Sequence, residues 1–340
     1  MKQTYRHIER HIFARLLRIV SGIILMVSFM PVARAQGDAE FSQYWAMPSY
    51  YNPAAIGNTD YVRIRLAGKL QWVGIERAPR TFAGTADMPL QFGKKLRFGV
   101  GLLANSERIG LYQNLNVGLQ LGYKFRALKG EFTIGVQPAL YNTKFKGSDV
   151  YIPEGDDFHQ PADPEIPTTD ISGNAFDLSA GVQYNHKYFS VGLSCLHILE
   201  PEVTLDSEGG SDKETVEFMA TLPRQAYFTA DGNIPLRNSL ISLQPSLLVR
   251  TDFKSFSAEA TMRATYNKFI SLGIGYRTSQ AVTAMLSVEF KNFFLGYAYD
   301  YSFTGISKAS SGSHELMAGY RVKLNFGQKN KNKQRSIRIM

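Results

Sequence analysis

The chain has 340 residues, a net charge of +9 and a single cysteine. Residues 1–35 and 328–340 each carry a net charge of about +5, so the region between them is close to neutral. Basicity confined to the ends does not support a nucleic-acid-binding face. Cys195 excludes an intrachain disulfide, and no His or second Cys is spaced to activate it, so we interpret it as a small hydrophobic residue.

Residues 1–35 have the organisation of a signal peptide. Several Lys and Arg precede an apolar run at 19–30, and Ala33 and Ala35 follow it, so we expect cleavage after Ala35. An N-terminal membrane anchor is the alternative, but the run is shorter than the roughly 18 residues that a span needs. No other run of that length occurs, so any span in the mature chain must belong to a barrel.

Apolar and polar residues alternate with period two from residue 61 to residue 326, as in strands with one apolar and one wet face. Without amphipathic helices to cover these apolar faces, the pattern predicts an all-β transmembrane antiparallel up-and-down β-barrel of about 14 strands, spanning residues 61–327. The predicted strands are 61–72, 80–90, 95–105, 113–126, 131–145, 175–186, 188–199, 223–233, 240–251, 254–266, 268–279, 281–290, 292–303 and 313–326.

The predicted links alternate between short turns, such as 128–130 and 267–268, and longer loops at 146–174, 200–222 and 304–312. Outer-membrane barrels have short periplasmic turns and long external loops, so both termini are expected in the periplasm. Aromatic residues near the strand ends, Trp72 among them, are expected to form girdles at the membrane interfaces.

The polar strand faces predict a charged lumen, in which mixed charges pair with one another, solvate a pore, or contact a ligand or plug. The predicted lumen residues are Arg63, Arg65, Lys69, Asp177, Gln183, Glu259, Arg263, Glu289, Glu315, Arg321 and Lys323.

The loops 146–174 and 200–222 are rich in Asp and Glu, which could bind calcium through oxygen ligands. Neither loop has the fixed spacing of a calcium loop, so solvated loops are favoured. No nucleophile elbow, metal-spaced His pair or phosphate-binding glycine loop occurs, and we expect no enzymatic activity, no metal and no cofactor.

Residues 36–60 are neither alternating nor helical and contain many aromatic rings. Because these rings would be exposed to water in the periplasm, we expect this segment to fold back against the barrel wall or into the lumen as a hatch.

Over residues 36–327 the sequence resembles the PorP/SprF family of type IX secretion system membrane proteins. The N-terminal match is Phe41, Ser42, Gln43 and Tyr44, followed by Tyr51, Asn52, Pro53, Ala54 and Gly57. The C-terminal match is Tyr297, Tyr299, Asp300 and Tyr301, with His314 and Glu315.

The resemblance implies an outer-membrane component that works with periplasmic secretion and motility proteins and acts in export or surface attachment of secreted adhesin-type proteins, in some members for gliding. On this interpretation the periplasmic turns and a basic tail at 328–340 contact the machinery. The cations of the tail are Lys329, Lys331, Lys333, Arg335 and Arg338. Such a contact should weaken with salt.

Two other functions fit the pattern. An outer-membrane transport channel, porin-like or importing hydrophobic compounds, would also combine a barrel with an N-terminal hatch. A soluble all-β carbohydrate-binding protein would leave the apolar outer faces in water, at about 25 cal/mol for each Å².

Overall fold

The structure is a computed structural model, and it describes residues 38–92, 96–150, 167, 169–207, 218–236, 239–278 and 281–324. Within these residues seventeen strands form one antiparallel sheet. The strands are β1 (Tyr61–Leu70), β2 (Arg80–Phe92), β3 (Leu96–Ile109), β4 (Tyr112–Ala127), β5 (Gly130–Lys146), β6 (Asp170–Asn185), β7 (Phe189–Leu196), β8 (Glu202–Ser207), β9 (Phe218–Thr221), β10 (Gln225–Gly232), β11 (Ile234–Pro235), β12 (Ile241–Thr251), β13 (Phe256–Tyr266), β14 (Ile270–Arg277), β15 (Ala281–Phe290), β16 (Phe293–Ser302) and β17 (Ser313–Lys323).

Fourteen of these strands close into a ring. Sequential neighbours pair from β1 to β7, β7 pairs with β10, and β10 to β17 continue around the ring, with β11 as a two-residue extension of β10. The ring closes because β1 also pairs with β17, from Tyr61 opposite Lys323 to Leu70 opposite His314. The prediction of a closed antiparallel barrel of fourteen strands is therefore confirmed.

Two details differ from the prediction. Part of the loop 200–222 pairs with itself, since β8 and β9 form a hairpin that also contacts β6. Val203 and Leu205 of this hairpin are buried against Ile171 and Leu222, which gives the loop a small apolar core of its own. In addition, β3 runs to Ile109 and leaves only a two-residue turn before β4.

The alternation seen in the sequence separates the two faces of the barrel wall. Large apolar side chains remain exposed on the outer face, including Leu66, Phe82, Leu140 and Ile274, each exposed by more than half. A hydrocarbon environment suits this surface, because in water it would form an unusually large apolar patch. None of the described helices has the length and apolar character to cross a bilayer.

The two rims of the barrel differ in their links. One rim, the long-loop end, carries the links 71–79, 110–111, 147–169, 197–224, 252–255, 278–280 and 303–312. The other, the short-turn end, carries the remaining turns together with Asp60 and Leu324, which are joined by a backbone hydrogen bond of 2.9 Å. The predicted signal peptide, the basic tail and most of the acidic residues in the two loops lie outside the described residues.

Candidate functional site

Residues 38–60, which we call the plug, lie inside the barrel. Pro48 begins a single α-helical turn at Pro48–Tyr51, after a 3-10 turn at Tyr44–Ala46. The side chains of Phe41, Met47, Tyr51 and Ile56 are almost completely buried. The aromatic rings predicted to avoid water therefore fill the lumen.

The two sequence motifs, more than 250 residues apart, meet at the N-terminal part of the plug. Ser42 Oγ donates to both carboxylate oxygens of Asp300, at 2.7 and 2.8 Å. The backbone N–H groups of Ser42 and Gln43 donate to the two oxygens of Glu315, at 2.7 and 2.9 Å. We call this group of contacts the motif anchor. It explains the residue types, because Glu315 supplies two acceptor oxygens to plug N–H groups that have no strand partner there, and Asp300 supplies acceptors to the Ser42 hydroxyl.

Cations surround the carboxylates of the motif anchor. Lys69 Nζ lies 2.9 Å from Asp300 Oδ2 and 3.8 Å from Glu315 Oε2. Arg277 donates to Ser42 Oγ at 3.0 Å and pairs with Glu259 at 2.6 Å. Buried charges persist only when they are paired and hydrogen-bonded, and these side chains are all less than one tenth exposed. The cluster thus fixes the plug in one position.

The middle of the plug is held by a second set of polar contacts. Asn52 Oδ1 accepts from the Ala54 N–H at 2.8 Å, while Asn52 Nδ2 donates to Gln183 Oε1 at 3.1 Å. Ser194 Oγ donates to the Tyr51 carbonyl at 2.6 Å. Asn52 therefore both shapes the plug turn and connects it to the wall.

The end of the plug before β1 contacts a third set of wall residues. The Gly57 N–H donates to Asp87 Oδ2 at 2.6 Å, and the Arg63 guanidinium binds the same oxygen at 2.9 Å. Lys124 Nζ donates to the Gly57 carbonyl and, at 3.1 Å, to Asn58 Oδ1. Sequence reasoning identified Arg63 but not Asp87 or Lys124, although both occupy inward positions of the alternating pattern.

Glycine makes the close approach of plug and wall possible. Gly57 has φ +59°, and a Cβ there would lie 2.9 Å from the Met88 carbonyl oxygen. On the wall, a Cβ at Gly99 would lie 2.9 Å from Ile56 Cγ1. Real Cβ atoms do not approach this closely, so the wall strand lacks a side chain where the plug packs.

The start of the plug is attached differently, through ion pairs at the long-loop end. Glu40 binds Arg250 at 3.0 Å and Arg277 at 3.4 Å. The Asp38 carboxylate lies 3.1 Å from His197 Nε2, and Asp177 lies 2.8 Å from the other ring nitrogen. We call residues 38–40 the latch.

Electrostatics favours the charged forms of Asp38 and Glu40 in the latch and of their partner His197. Burial disfavours a charged imidazole, but Asp38 and Asp177 outweigh it and raise the pKa of His197 to about 10. Burial likewise opposes ionisation of Asp38, yet His197 and Arg250 hold its pKa below the ordinary value. Burial acts the same way on Glu40, whose pKa is lowered by Arg277 and Arg250. The latch is therefore an ionic contact at neutral pH.

A cavity of about 180 Å³ lies above the latch at the long-loop end. Its walls come from the links after β1, β12 and β16, and Glu40, Lys69, Arg250 and Arg277 line its base. Trp72 also lines it, although the ring was expected in an outer girdle. The reason is that β1 ends at Leu70 and the backbone turns at Trp72 with φ +50°, so the strand alternation no longer applies.

The plug runs from one rim of the barrel to the other. The latch lies at the long-loop end and Asp60 at the short-turn end, so the described chain runs down through the lumen before β1 begins. Residue 38 thus lies at the opposite rim from Leu324, and the periplasmic position of both termini stays a prediction. The remaining residues before 38 lie outside the described part.

Arg263, Arg65 and Arg321 also occupy inward positions of the wall, whereas Lys323 is exposed at the short-turn end. The Arg263 guanidinium lies 3.5 Å from the centre of the Trp45 ring in the plug and donates to Ser246 Oγ at 3.1 Å. Arg65 stacks on the Phe294 ring at 4.8 Å. Arg321 pairs with Glu289 away from the plug.

The remaining motif residues divide between the outer face of the wall and the plug. Tyr297, Tyr299, Tyr301 and His314 alternate with the inward Asp300 and Glu315, and they lie on the outer face, where the Tyr297 hydroxyl and His314 Nδ1 are 2.7 Å apart. They therefore do not join the motif anchor. Phe41, Tyr44 and Pro53 belong to the plug, and the Tyr44 hydroxyl reaches Thr261 Oγ1 at 3.3 Å.

The described residues contain no group of three or more His, Cys, Asp or Glu side chains placed to hold a metal ion. What the site does offer is a plugged lumen with paired charges and a cavity at one rim.

Comparison with known proteins identifies one family. The profile of the type IX secretion system membrane protein PorP/SprF family matches residues 33–320. A search of curated proteins gives no significant match.

Among solved structures, the chain is similar to the Pseudomonas putida toluene transporter TodX, with 10% identity, a TM-score of 0.46, and coverage of 86% of this chain and 96% of that one. A Pseudomonas aeruginosa FadL homologue gives 10% identity, a TM-score of 0.44, and coverage of 80% and 93%. The translocator domain of the autotransporter NalP from Neisseria meningitidis gives 14% identity, a TM-score of 0.39, and coverage of 78% and 87%.

Proposed function

The chain belongs to the PorP/SprF family of type IX secretion system membrane proteins, and from this premise we propose that it is a plugged outer-membrane scaffold of that system. In this role it acts in the export or surface attachment of secreted adhesin-type proteins. The long-loop end faces outward and the short-turn end contacts the periplasmic secretion and motility machinery. We propose no catalytic role for it.

The observation that supports a scaffold is the occupied lumen. The plug is tied to the wall at the motif anchor, at Asn52 and at Gly57, and its buried rings fill the space between. A conducting channel of this size would need an open or readily emptied interior. A transport channel, the alternative function, therefore requires displacement of the whole plug.

Reconstitution of the purified full chain in planar bilayers tests the choice between scaffold and channel. A scaffold gives no steady conductance, whereas a selective current or uptake of a hydrophobic compound into vesicles would favour the transport channel. A variant with the plug deleted, residues 38–58, should conduct and so controls for correct insertion.

Cellular experiments test the secretion role. Loss of the protein should remove at least one adhesin-type protein from the cell surface without changing other outer-membrane barrels. Deletion of residues 329–340 should reduce co-purification of periplasmic partners. For the intact chain, a higher ionic strength should also reduce this co-purification. If the truncated chain captures periplasmic partners as well as the intact chain does, the tail does not make the proposed contact.

A further inference from the structure

The cavity at the long-loop end contains a carboxylate that belongs to the protein itself. Glu40 reaches the base of this cavity between Arg250 and Arg277, at 3.0 and 3.4 Å. Its side chain is 18% exposed, while the next plug residues, Phe41 and Ser42, are completely buried. The acid is therefore accessible from the cavity, although the residues that follow it are not.

The latch and the rest of the plug are held by different forces. Asp38 and Glu40 make ion pairs with His197, Arg250 and Arg277. From Phe41 onward, buried rings and the motif anchor hold the chain. An arriving carboxylate can replace Glu40 because it restores the ion pairs with the two Arg side chains, whereas the buried contacts of the rest of the plug have no such substitute.

The two guanidinium groups form a receptor for a carboxylate. Arg side chains bind carboxylates through forked, charge-assisted hydrogen bonds, and two of them here converge on one acid. Hydroxyl groups of Ser257 and Ser313 and the ring of Trp72 line the same space. These groups suit a ligand that presents an acid and further polar atoms.

We propose that this cavity binds a carboxylate-bearing ligand arriving from the long-loop end, and that Glu40 is an internal competitor which the ligand displaces to release the latch. The motif anchor then keeps the remainder of the plug in place, so binding loosens residues 38–40 without opening the barrel. The proposal is independent of the secretion role, since it rests on the geometry of the isolated chain.

Direct binding to the purified full-length protein in detergent tests the proposal. The probe is triglutamate, with triglutamine as the uncharged match, and affinity is measured by calorimetry. Because Glu40→Gln removes the competing charge, it should bind triglutamate at least about fivefold more tightly than the wild type. Arg250→Gln should bind at least about tenfold more weakly. Glu289→Gln, which alters an ion pair at the short-turn end, should leave binding unchanged.

Release of the latch is measured separately. A spin label at Ala39→Cys in a Cys195→Ser background should become more mobile when triglutamate is added and stay unchanged with triglutamine. Succinate identifies the source of the acid: binding as tight as triglutamate indicates a small organic acid, and much weaker binding indicates an acidic peptide. Equal binding of triglutamate and triglutamine, or no gain in affinity for Glu40→Gln, overturns the proposal.

Discussion

Replacement of Ser42 by Ala tests whether the motif anchor holds the plug. The Ser42 hydroxyl donates to the Asp300 carboxylate at 2.7 Å and accepts from Arg277 at 3.0 Å. A hydrogen bond to a charged group contributes about 1.5–3 kcal/mol. Since Asp300 keeps two other donors, Thr283 and Lys69, the lower half of that range applies. The state in which the plug has moved out of place should therefore be populated about 10- to 40-fold more, at about 1.4 kcal/mol for each factor of ten.

Thiol labelling measures this opening. Ser49 is buried in the plug, so a cysteine at that position in the Cys195→Ser background reacts with a maleimide only when the plug moves. Ser42→Ala should raise the labelling rate by the stated factor. Ser310→Ala, which alters a hydroxyl in the β16–β17 link, should change it less than twofold.

A double-mutant cycle separates the direct contact from general loosening. Because Ser42 and Asp300 contact each other directly, the effect of the Ser42→Ala, Asp300→Asn pair should be smaller than the sum of the single effects. The barrel's folded state is checked by heat-modifiable gel mobility. If the folded Ser42→Ala variant is labelled by maleimide at a rate within twofold of its parent, the motif anchor does not hold the plug.

Two further predictions concern the ends of the plug. Gly57→Ala should destabilise the barrel by about 1–3 kcal/mol, since it adds a clash with the Met88 carbonyl to the strain of a positive φ. Gly110 has φ +58° and open space around it, so Gly110→Ala should cost only the strain. Equal shifts of the unfolding midpoint in the two variants would contradict a clash at Gly57. Protonation of His197 beside Asp38 should stabilise the fold fully below pH 6.5 and cease to do so as the pH rises through about 10. The melting temperature should therefore fall more between pH 7 and 10.5 in the wild type than in His197→Gln, and parallel curves would refute this.

The strands were predictable from the sequence because a membrane barrel imposes one rule on every residue of its wall. Most inward positions are polar or small and most outward positions are apolar, so alternation locates all fourteen strands of the ring. The rule fails where the chain leaves the wall. Trp72 lies just beyond the end of β1, and the β8–β9 hairpin arises inside a loop whose acidic composition hides three buried apolar residues.

The site was only partly predictable, for a different reason. The sequence indicates that Lys69 and Glu315 face inward, but it contains no information on which plug atoms they meet, because that depends on how the ring closes. His197 follows the last residue of β7, and its role depends on Asp38 from a segment more than 150 residues away. Pairing across such distances follows from three-dimensional packing rather than from local pattern.

The position of the motif anchor links the order of assembly to the plug. Lys69 on the first strand lies directly opposite Glu315 on the last. Both contact Ser42: Glu315 accepts from its backbone N–H, and Lys69 donates to its hydroxyl. The plug segment therefore bridges the seam at which the first and last strands join. Until the final hairpin arrives, the amides of Ser42 and Gln43 lack the Glu315 acceptor, so the N-terminal part of the plug is fixed only when the seam closes.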